Sequence, residues 1–251
     1  MPAGRQPDNT AAWHPSALAG AAGAAGAGAG ASAMTDAQPV SPLAGGTRSL
    51  EVRWIFRGEL ETAVAGWFGR FTAGTESRED LYLLSPHLPG LSVKVRGGGA
   101  LEVKMYRGSP GILEVAGRAR GRLESWQKWS FPCGRPNHGG GEVAGWEPVH
   151  KRRRIGWFSL GSEPALAHGP ALGGEPACAV ELTEVFTGGE AWWSLGFEAT
   201  GPADLLCGVL EASAALVLAE APPGGVDIGM DDSRSYAEWL WQRPGTEGGE
   251  P

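Results

Sequence analysis

Basic side chains recur at every second position in several short segments of the chain. In LSVKVRGGGALEVKM, residues 91–105, the alternation places Lys94, Arg96 and Lys104 on the face opposite the valines. Lys and Arg donate charge-assisted hydrogen bonds to phosphate oxygens. The same spacing adds basic residues in three other segments. The candidate contacts for a phosphorylated small molecule or a polyphosphate are Arg53, Lys94, Arg96, Lys104, Lys128, Lys151 and Arg153.

Carboxylates occupy similar positions in the segment that contains Arg53 and in two segments near the end of the chain. Glu51 is two residues from Arg53, and Glu181 and Glu198 lie on the more polar faces of segments near the end of the chain. Carboxylate oxygens are hard ligands of the kind that bind Mg²⁺ or Mn²⁺. We therefore expect Glu51, Glu181 and Glu198 to hold one of these ions if the segments converge.

Each charged face also has a simpler interpretation, because one side of an antiparallel sheet commonly faces water. Two features favour an enclosed site. Lys and Arg dominate the polar faces of the earlier segments, and the later ones change sign to Glu. A sheet that closes on itself would turn these faces inward, where a polyanion and a metal ion could bind. Both interpretations stay open from the residues alone.

The three glycines at 97–99 fix how the two halves of the 91–105 segment pair. A three-residue loop aligns Lys94 with Glu102 and Arg96 with Ala100, which keeps all charges on one side. Loops of two or four residues would place Lys94 opposite an apolar residue. Three-residue hairpin loops need a left-handed position that glycine adopts easily. The segment is therefore predicted to be a hairpin with one polar face.

Period-two and helical patterns along the chain predict the remaining elements. Strands are expected over residues 50–56, 80–84, 121–131, 149–160, 177–186 and 191–199, with the last two forming a hairpin. Helices are expected within 58–71, from a first turn at Pro202, and over 235–243 with Asp232 or Ser233 as the cap. Residues 132–142 and 161–177 are predicted to be loops. This pattern indicates an α+β fold, an eight-stranded antiparallel β tunnel or barrel with helices packed outside.

Composition divides the chain into three parts. Residues 1–46 are rich in Ala and Gly with little to bury, so we predict that they are disordered. Met34 offers a second candidate start of translation, so we expect translation to begin at either Met1 or Met34. The tunnel domain is expected over residues 47–243, followed by a disordered tail at 244–251. No run of 18 apolar residues occurs, which argues against a spanning helix and a membrane partner.

Charge and cysteine content narrow the function classes. Residues 48–158 contain 18 basic and 11 acidic residues, whereas residues 159–251 contain 2 basic and 15 acidic ones. Three scattered cysteines without a C-x-x-C pair argue against a disulfide scaffold or a thiolate zinc site and favour the cytoplasm. Nucleic acid is disfavoured because the four charges from Lys151 to Arg154 divide between two strand faces. No serine has a patterned histidine partner, so no catalytic nucleophile is assigned.

In the order and spacing of these segments, residues 49–242 resemble the CYTH family, the triphosphate tunnel metalloenzymes named for adenylate cyclase and thiamine triphosphatase. The resemblance implies an eight-stranded tunnel whose basic residues bind a triphosphate and whose acidic residues bind a metal ion. The family's E-x-E-x-K strand matches Ser49, Glu51 and Arg53. Its R-x-R strand matches Lys94 and Arg96. The lysine that follows in the family matches Lys104, and the family's later K-x-R motif matches the residues from Lys151 to Arg153. The two late acidic strands of the family match Glu181 and Glu198.

Two departures from the family pattern concern metal ligands. Ser49 stands where the family has a first glutamate, and Thr183 where the late strand has a second carboxylate. The family's phosphate-binding positions are therefore better matched in this sequence than its metal-binding positions. The resemblance implies a metal-dependent hydrolase of a triphosphate or polyphosphate. The alternative is a non-catalytic protein that binds a phosphorylated ligand beside a degenerate metal site.

Overall fold

The computed structural model describes residues 45–84, 88, 90–97, 99–133, 145–160, 164–167 and 175–243. The predicted disordered tail at 244–251 lies outside these ranges, as does nearly all of the predicted disordered segment 1–46. Most of the predicted loop 132–142 also lies outside them. In the part of the chain that is described, no helix is long and apolar enough to cross a membrane.

The described residues form nine strands, three α-helices and two short 3₁₀ turns. The strands are β1 Thr47–Arg57, β2 Gly74–Leu83, β3 Leu91–Arg96, β4 Ala100–Val115, β5 Ala119–Pro132, β6 Trp146–Leu160, β7 Pro164–Ala167, β8 Ala177–Thr187 and β9 Glu190–Thr200. The helices are α1 Thr62–Gly69, α2 Leu206–Val217 and α3 Tyr236–Gln242. The 3₁₀ turns cover Pro223–Gly225 and Met230–Asp232.

Eight of the strands close into an antiparallel barrel. The order around the ring is β2-β3-β4-β5-β1-β9-β8-β6, and a pairing between β2 and β6 completes it. The short strand β7 adds to the far end of β6, beyond the part that pairs with β2. The predicted α+β fold, an eight-stranded antiparallel barrel with helices packed outside, is confirmed.

The β3–β4 hairpin has the predicted register. Lys94 pairs with Glu102 and Arg96 with Ala100, which leaves a three-residue loop. Gly99 takes a φ of 92°, a left-handed conformation that glycine adopts without the steric penalty of a side chain. Gly97 approaches β2 closely, since a Cβ there would lie 2.5 Å from the carbonyl oxygen of Glu79. The glycines therefore set both the turn and the contact with the neighbouring strand.

The largest apolar cluster lies outside the barrel. Outward-facing residues of the strands, among them Val52, Trp54 and Phe197, pack under α1 and α2 with Phe68 and Leu210. All five side chains are fully or almost fully buried. Burying such side chains is the main favourable term in folding. The helices are thus held on the sheet's outer face, and the inner face has no part in this core.

A second apolar cluster fills one end of the barrel. Ile55, Val149 and Val185 point inward there and contact Trp239 and Leu240 of α3. Helix α3 begins after Ser235, whose hydroxyl accepts a hydrogen bond from the amide of Glu238. The apolar face of α3 therefore covers this end and limits how far the polar interior extends.

Several predicted boundaries were wrong. Strand β2 begins at Gly74 rather than near residue 80, and β7 lies within the predicted loop 161–177. Pro202 lies in a turn before α2, which begins only at Leu206. The last helix is capped by Ser235 rather than by Asp232 or Ser233, because Asp232 belongs to a 3₁₀ turn and the hydroxyl of Ser233 accepts from the Arg122 amide.

Candidate functional site: a charged chamber inside the barrel

A cavity of about 110 Å³ lies inside the barrel; we call it the chamber. It is enclosed by inward-facing side chains of β1–β6, β8 and β9, together with the first residues of α3. All ten candidate site residues from the sequence line this one space: Glu51, Arg53, Lys94, Arg96, Lys104, Lys128, Lys151, Arg153, Glu181 and Glu198. Closure of the sheet is what brings them together, because the residues come from seven different strands.

Asp80 of β2 is the most deeply buried acid in the interior, with a fully inaccessible side chain. Its oxygens lie 3.1 Å from Arg78 Nε, 3.4 Å from Lys151 Nζ and 3.5 Å from Lys94 Nζ. Burial opposes ionisation, but these three positive charges hold the pKa of Asp80 well below its usual range. Asp80 is therefore ionised and forms ion pairs with basic residues of β2, β3 and β6.

Glu102 forms a second ion-pair group towards the β3–β4 hairpin. Its carboxylate lies 3.0 Å from Lys94 Nζ and 3.1 Å from an Arg96 nitrogen. Burial raises the pKa of Glu102, but the attraction of Lys94 and Arg96 outweighs it and lowers the value to about 2. Lys94 consequently bridges two carboxylates, Asp80 and Glu102.

Glu181 of β8 is held by two guanidinium groups. Arg153 of β6 donates a short hydrogen bond to it, and Arg53 of β1 lies 3.5 Å away. The pKa of Glu181 falls well below its usual range because the attraction of the two arginines exceeds the effect of burial. Arg153 also donates to Glu76, at 2.9 Å.

A glycine makes room for Arg53. Gly196 of β9 pairs with Arg53 on one side and with Glu181 on the other. A Cβ at this position would lie 2.7 Å from the Arg53 guanidinium, so any side chain would push it aside. The guanidinium also packs over the ring of Tyr236, 4.5 Å from its centroid, as a cation–π contact. Because Gly196 has no side chain, Arg53 of β1 can reach across β9 to pair with Glu181 of β8.

Lys104 lies between two carboxylates. Its ammonium nitrogen is 2.7 Å from Glu51 Oε1 and 3.5 Å from Glu198 Oε1. Glu51 and Glu198 are cross-strand partners of β1 and β9, and Lys128 approaches Glu198 at 3.6 Å. Burial opposes protonation, yet the two carboxylates raise the pKa of Lys104 above its ordinary value. Oε1 of Glu198 is buried, and among the described residues none donates a hydrogen bond to it, although the two lysine nitrogens lie 3.5 and 3.6 Å away.

Lys151 differs from the other basic residues. Its side chain is buried between Tyr82, whose hydroxyl is 2.6 Å from Nζ, and the ring of Tyr236, whose centroid is 3.8 Å away. Burial and the nearby positive charge of Lys94 lower the pKa of Lys151 well below its ordinary value, while Asp80 opposes the shift. Among the basic residues of the chamber, Lys151 is thus the one whose protonated form its surroundings destabilise, and its ion pair with Asp80 at 3.4 Å opposes this effect.

The chamber carries a small excess of positive charge. Among the described residues, eight basic ones line it, the seven predicted ones and Arg78, together with five glutamates. Asp80 adds a sixth acid behind the lining. Most cations are thus already paired. Lys128 and Arg96 have the most accessible side chains, at 28% and 38% exposure, and lie where the chamber opens outward.

Two cavities adjoin the chamber. A mouth of about 650 Å³ lies at the barrel end where β1 begins, and it includes Thr47, Arg48 and Glu175 with Arg96 and Lys128 of the chamber. A cavity of about 370 Å³ lies beside α3 at the other end. The chamber is therefore bordered by the mouth at one end and by the cavity beside α3 at the other.

Some lining residues were not among the predicted site residues. Arg78 and Tyr82 lie on β2, Glu102 and Glu124 on β4 and β5, and Tyr236 on α3. Glu76, Arg78, Asp80 and Tyr82 occupy alternate positions of β2, but the first half of this strand has no apolar residue to mark the alternation as that of a strand. Tyr236 had no sequence signal either, because its position depends on how α3 packs against the barrel end.

No group of three or more His, Cys, Asp or Glu side chains within the described residues is arranged to hold a metal ion. The three predicted ligands are divided between two groups: Glu51 and Glu198 share Lys104, while Glu181 is held by Arg53 and Arg153. The geometry therefore offers a pair of carboxylates rather than a set of three.

Several solved structures are similar to the chain. A conserved hypothetical protein from Pyrococcus furiosus aligns with a TM-score of 0.38 and 16% identity over 75% of this chain and 98% of its own. A protein from Pyrococcus horikoshii OT3 aligns at 0.38 and 14%, over 76% and 97%. The mimivirus capping enzyme triphosphatase aligns at 0.37 and 9%, over 69% and 90%. At this similarity none of them decides what the chain does. No family model and no curated protein matches it.

Proposed function

We propose that the chamber binds the phosphate groups of a phosphorylated small molecule or of a polyphosphate. The observation that carries the proposal is the convergence of eight basic side chains from six strands on one enclosed space. Such groups bind phosphate oxygens through charge-assisted hydrogen bonds. The same convergence, with the matched positions of the sequence, supports the proposal that the chain is a divergent CYTH-like triphosphate tunnel protein.

Binding a phosphate chain would exchange one set of ion pairs for another. Lys94, Arg96 and Lys104 are held by Glu102, Glu51 and Glu198. These carboxylates keep the cations in place and offset the cost of burying them. Phosphate oxygens would replace the carboxylates as partners. Lys128 and Arg96, the most exposed of the basic residues, would meet the ligand first.

Hydrolysis assisted by a divalent ion is the second candidate function. It is favoured by the Glu51–Glu198 pair and by the buried Oε1 of Glu198, to which no residue in the described part of the chain donates a hydrogen bond. Mg²⁺ commonly binds to one or two carboxylates together with substrate phosphates, so this pair fits Mg²⁺ or Mn²⁺. When bound, such an ion polarises a phosphoryl oxygen or acidifies a water molecule. Lys104 would leave the pair for a phosphate oxygen, and Glu181 would stay with its arginines.

Calorimetric titration of the full chain with tripolyphosphate, with and without Mg²⁺, tests binding. We expect the Lys94→Ala/Arg96→Ala variant to lose at least about tenfold in affinity, because two charge-assisted contacts are removed. The matched control is Arg57→Ala/Arg152→Ala, which removes two arginines whose side chains are 69% and 60% exposed. Equal losses in both variants, or no binding to the unmodified chain, would overturn the proposal.

Phosphate release in the same samples separates the two candidate functions. Release that requires Mg²⁺ and is abolished by Glu51→Gln/Glu198→Gln, while tripolyphosphate still binds, supports the hydrolase. Tight binding without release in Mg²⁺ or Mn²⁺ supports the non-catalytic alternative. Release unaffected by the double substitution would contradict the role of the carboxylate pair.

A further inference from the structure

Two carboxylates share Lys94 but lie at different depths in the barrel. Asp80 lies behind the lining of the chamber, and its side chain has no accessible surface. Glu102 is part of the lining, and its side chain keeps 7% of its surface accessible. A ligand in the chamber can therefore contact Lys94 and Glu102, but it cannot contact Asp80.

The two oxygens of Glu102 are divided between two cations, as the oxygens of a phosphate group would be. Oε2 lies 3.0 Å from Lys94 Nζ, and Oε1 lies 3.1 Å from an Arg96 nitrogen. Both cations are candidate phosphate contacts, and Arg96 lines the chamber and the mouth. Ammonium and guanidinium groups make the same charge-assisted bonds to carboxylate and to phosphate oxygens. A phosphate that contacts Lys94 and Arg96 together must therefore displace Glu102.

Asp80 makes its contacts on the side of the lining that faces away from the ligand. Its oxygens lie within 3.5 Å of Arg78, Lys94 and Lys151, which come from β2, β3 and β6. All three basic side chains line the chamber. One enclosed carboxylate thus fixes the positions of three cations, and these contacts persist when a ligand enters because no phosphate can reach Asp80.

Asp80 also supports the positive charge of Lys151. Charged and titratable groups face Lys151 from β1, β2, β3 and α3: Arg53, Arg78, Asp80, Tyr82, Lys94 and Tyr236. Burial and the nearby cations lower the pKa of Lys151, and Asp80 opposes this shift. Removal of the carboxylate would lower the pKa of Lys151 further. The chamber would then lose a cation together with the anion.

We propose that the two acids have opposite roles in ligand binding. Asp80 is a positioning residue that holds Lys94 and Lys151 in place for phosphate, whereas Glu102 occupies a phosphate position in the ligand-free chamber and is displaced when the ligand binds. This inference rests on the proposed function, because it needs phosphates to lie in the chamber. The affinity of the chamber is then set by competition between an internal carboxylate and the ligand for Lys94 and Arg96.

Two matched substitutions separate the roles. Asp80→Asn and Glu102→Gln each remove one negative charge and keep the shape of the side chain, so charge alone would tighten anion binding in both variants. We expect Glu102→Gln to bind tripolyphosphate about tenfold more tightly than the unmodified chain, because no carboxylate competes for Lys94 and Arg96. We expect Asp80→Asn to bind it about tenfold more weakly, because Lys94 and Lys151 lose their shared partner. Calorimetric titration of the full chain measures both changes.

The thermal midpoint distinguishes competition by Glu102 from a structural role. Glu102→Gln removes the carboxylate from two ion pairs, so we expect a lower thermal midpoint without ligand together with the higher affinity. A purely structural role would lower both quantities.

The pH dependence of binding distinguishes positioning by Asp80 from a structural defect. The deficit of Asp80→Asn is taken as a ratio to the unmodified chain at each pH, so that protonation of tripolyphosphate itself cancels. We expect this ratio to shrink as the pH falls from about 9 to about 6, because Lys151 regains its proton. A structural defect would give a constant ratio.

Exposed acids on the same two strands provide the controls. Glu79 follows Asp80's neighbourhood on β2 with a side chain that is 50% exposed, and Glu114 is an exposed residue of β4, the strand of Glu102. Glu79→Gln and Glu114→Gln each remove one negative charge at a distance from the lining. Both should change the affinity for tripolyphosphate by less than about twofold.

The outcomes separate the inference from the function on which it rests. If the unmodified chain does not bind tripolyphosphate, the proposed function fails. If it binds and Glu102→Gln binds equally or more weakly, the inference is overturned and the proposed function stands. Tighter binding by both buried variants, or a deficit of Asp80→Asn that is independent of pH, would also overturn the inference. Should Asp80→Asn not fold, Glu102→Gln decides, since higher affinity with a lower thermal midpoint is expected only of a competing carboxylate.

Discussion

The two faces of the barrel wall are built from the same strands and have opposite chemistry. On β1, Val52 and Trp54 point outward into the apolar cluster beneath the helices, while Glu51 and Arg53 point into the chamber. Helices α1 and α2 pack on the outer face and bury it, whereas the inner face is buried because the sheet closes into a barrel. The apolar core therefore lies outside the barrel wall, and the barrel's centre is left for charged groups.

This difference indicates that stability and ligand recognition are largely assigned to opposite faces. Apolar packing on the outer face contributes free energy of folding. Buried ion pairs on the inner face contribute little net stability, because desolvation offsets much of their attraction. They do hold cations in fixed positions around one space. Substitutions on the outer face should consequently change the free energy of unfolding whether or not ligand is present, whereas the effects of substitutions on the inner face should depend on ligand or on pH.

The largest expected effect is on the outer face. Leu210→Ala removes a fully buried side chain of α2 and should lower the free energy of unfolding by about 2–5 kcal/mol, through lost burial and a residual cavity. Urea unfolding measures the change. Leu216→Ala on the same helix is the control, since Leu216 is 42% exposed and should cost less than about 0.5 kcal/mol. Equal costs would contradict the placement of the core.

The next effect is on the inner face and depends on ligand. Glu181→Ala leaves Arg53 and Arg153 buried without their shared carboxylate, which should cost about 3 kcal/mol. Saturating tripolyphosphate should raise the thermal midpoint of this variant more than that of the unmodified chain, because an added anion replaces the lost one. Glu190→Ala removes a surface partner of Arg57 and serves as the control. Equal ligand-induced shifts would argue that the phosphates bind elsewhere.

The smallest effect concerns acid stability. Glu102 has a folded pKa of about 2 against an ordinary 4.5, so its ion pairs stabilise the fold above pH 4.5 and lose this contribution as pH falls towards 2. After allowance for solvent screening, the loss is about 2 kcal/mol. Glu102→Gln should unfold with a flatter pH dependence over this window. Glu114→Gln, an exposed position on the same strand, should follow the unmodified chain.

Much of the barrel could be predicted because its strands alternate in sequence. In β1 and in the β3–β4 hairpin, apolar and polar residues alternate. This period of two predicts the strand and also shows which of its residues share the inner face. The three glycines fixed the hairpin register, and the register aligned Lys94 with Glu102. Alternation of this kind is enough to identify ten of the residues that line the chamber.

Other parts of the site could not be predicted from local patterns. The first half of β2 has no apolar residue, so its alternation of charged and small polar side chains does not indicate a strand. Tyr236 reaches Arg53 and Lys151 only because α3 packs across the barrel end. The ion pairs also depend on closure, since Lys104 meets Glu51 and Glu198 across strands that are distant in sequence.

Closure of the barrel also has a consequence for folding kinetics. Strand β1 pairs with β9, so Glu51 finds Glu198 only after most of the chain has been positioned, and β2 similarly pairs with β6. Topologies dominated by such distant pairings fold slowly, on a scale of roughly milliseconds to seconds. The charged side chains stay hydrated until the last strands meet. The chamber is thus a late product of folding, formed in the step that removes water from its charges.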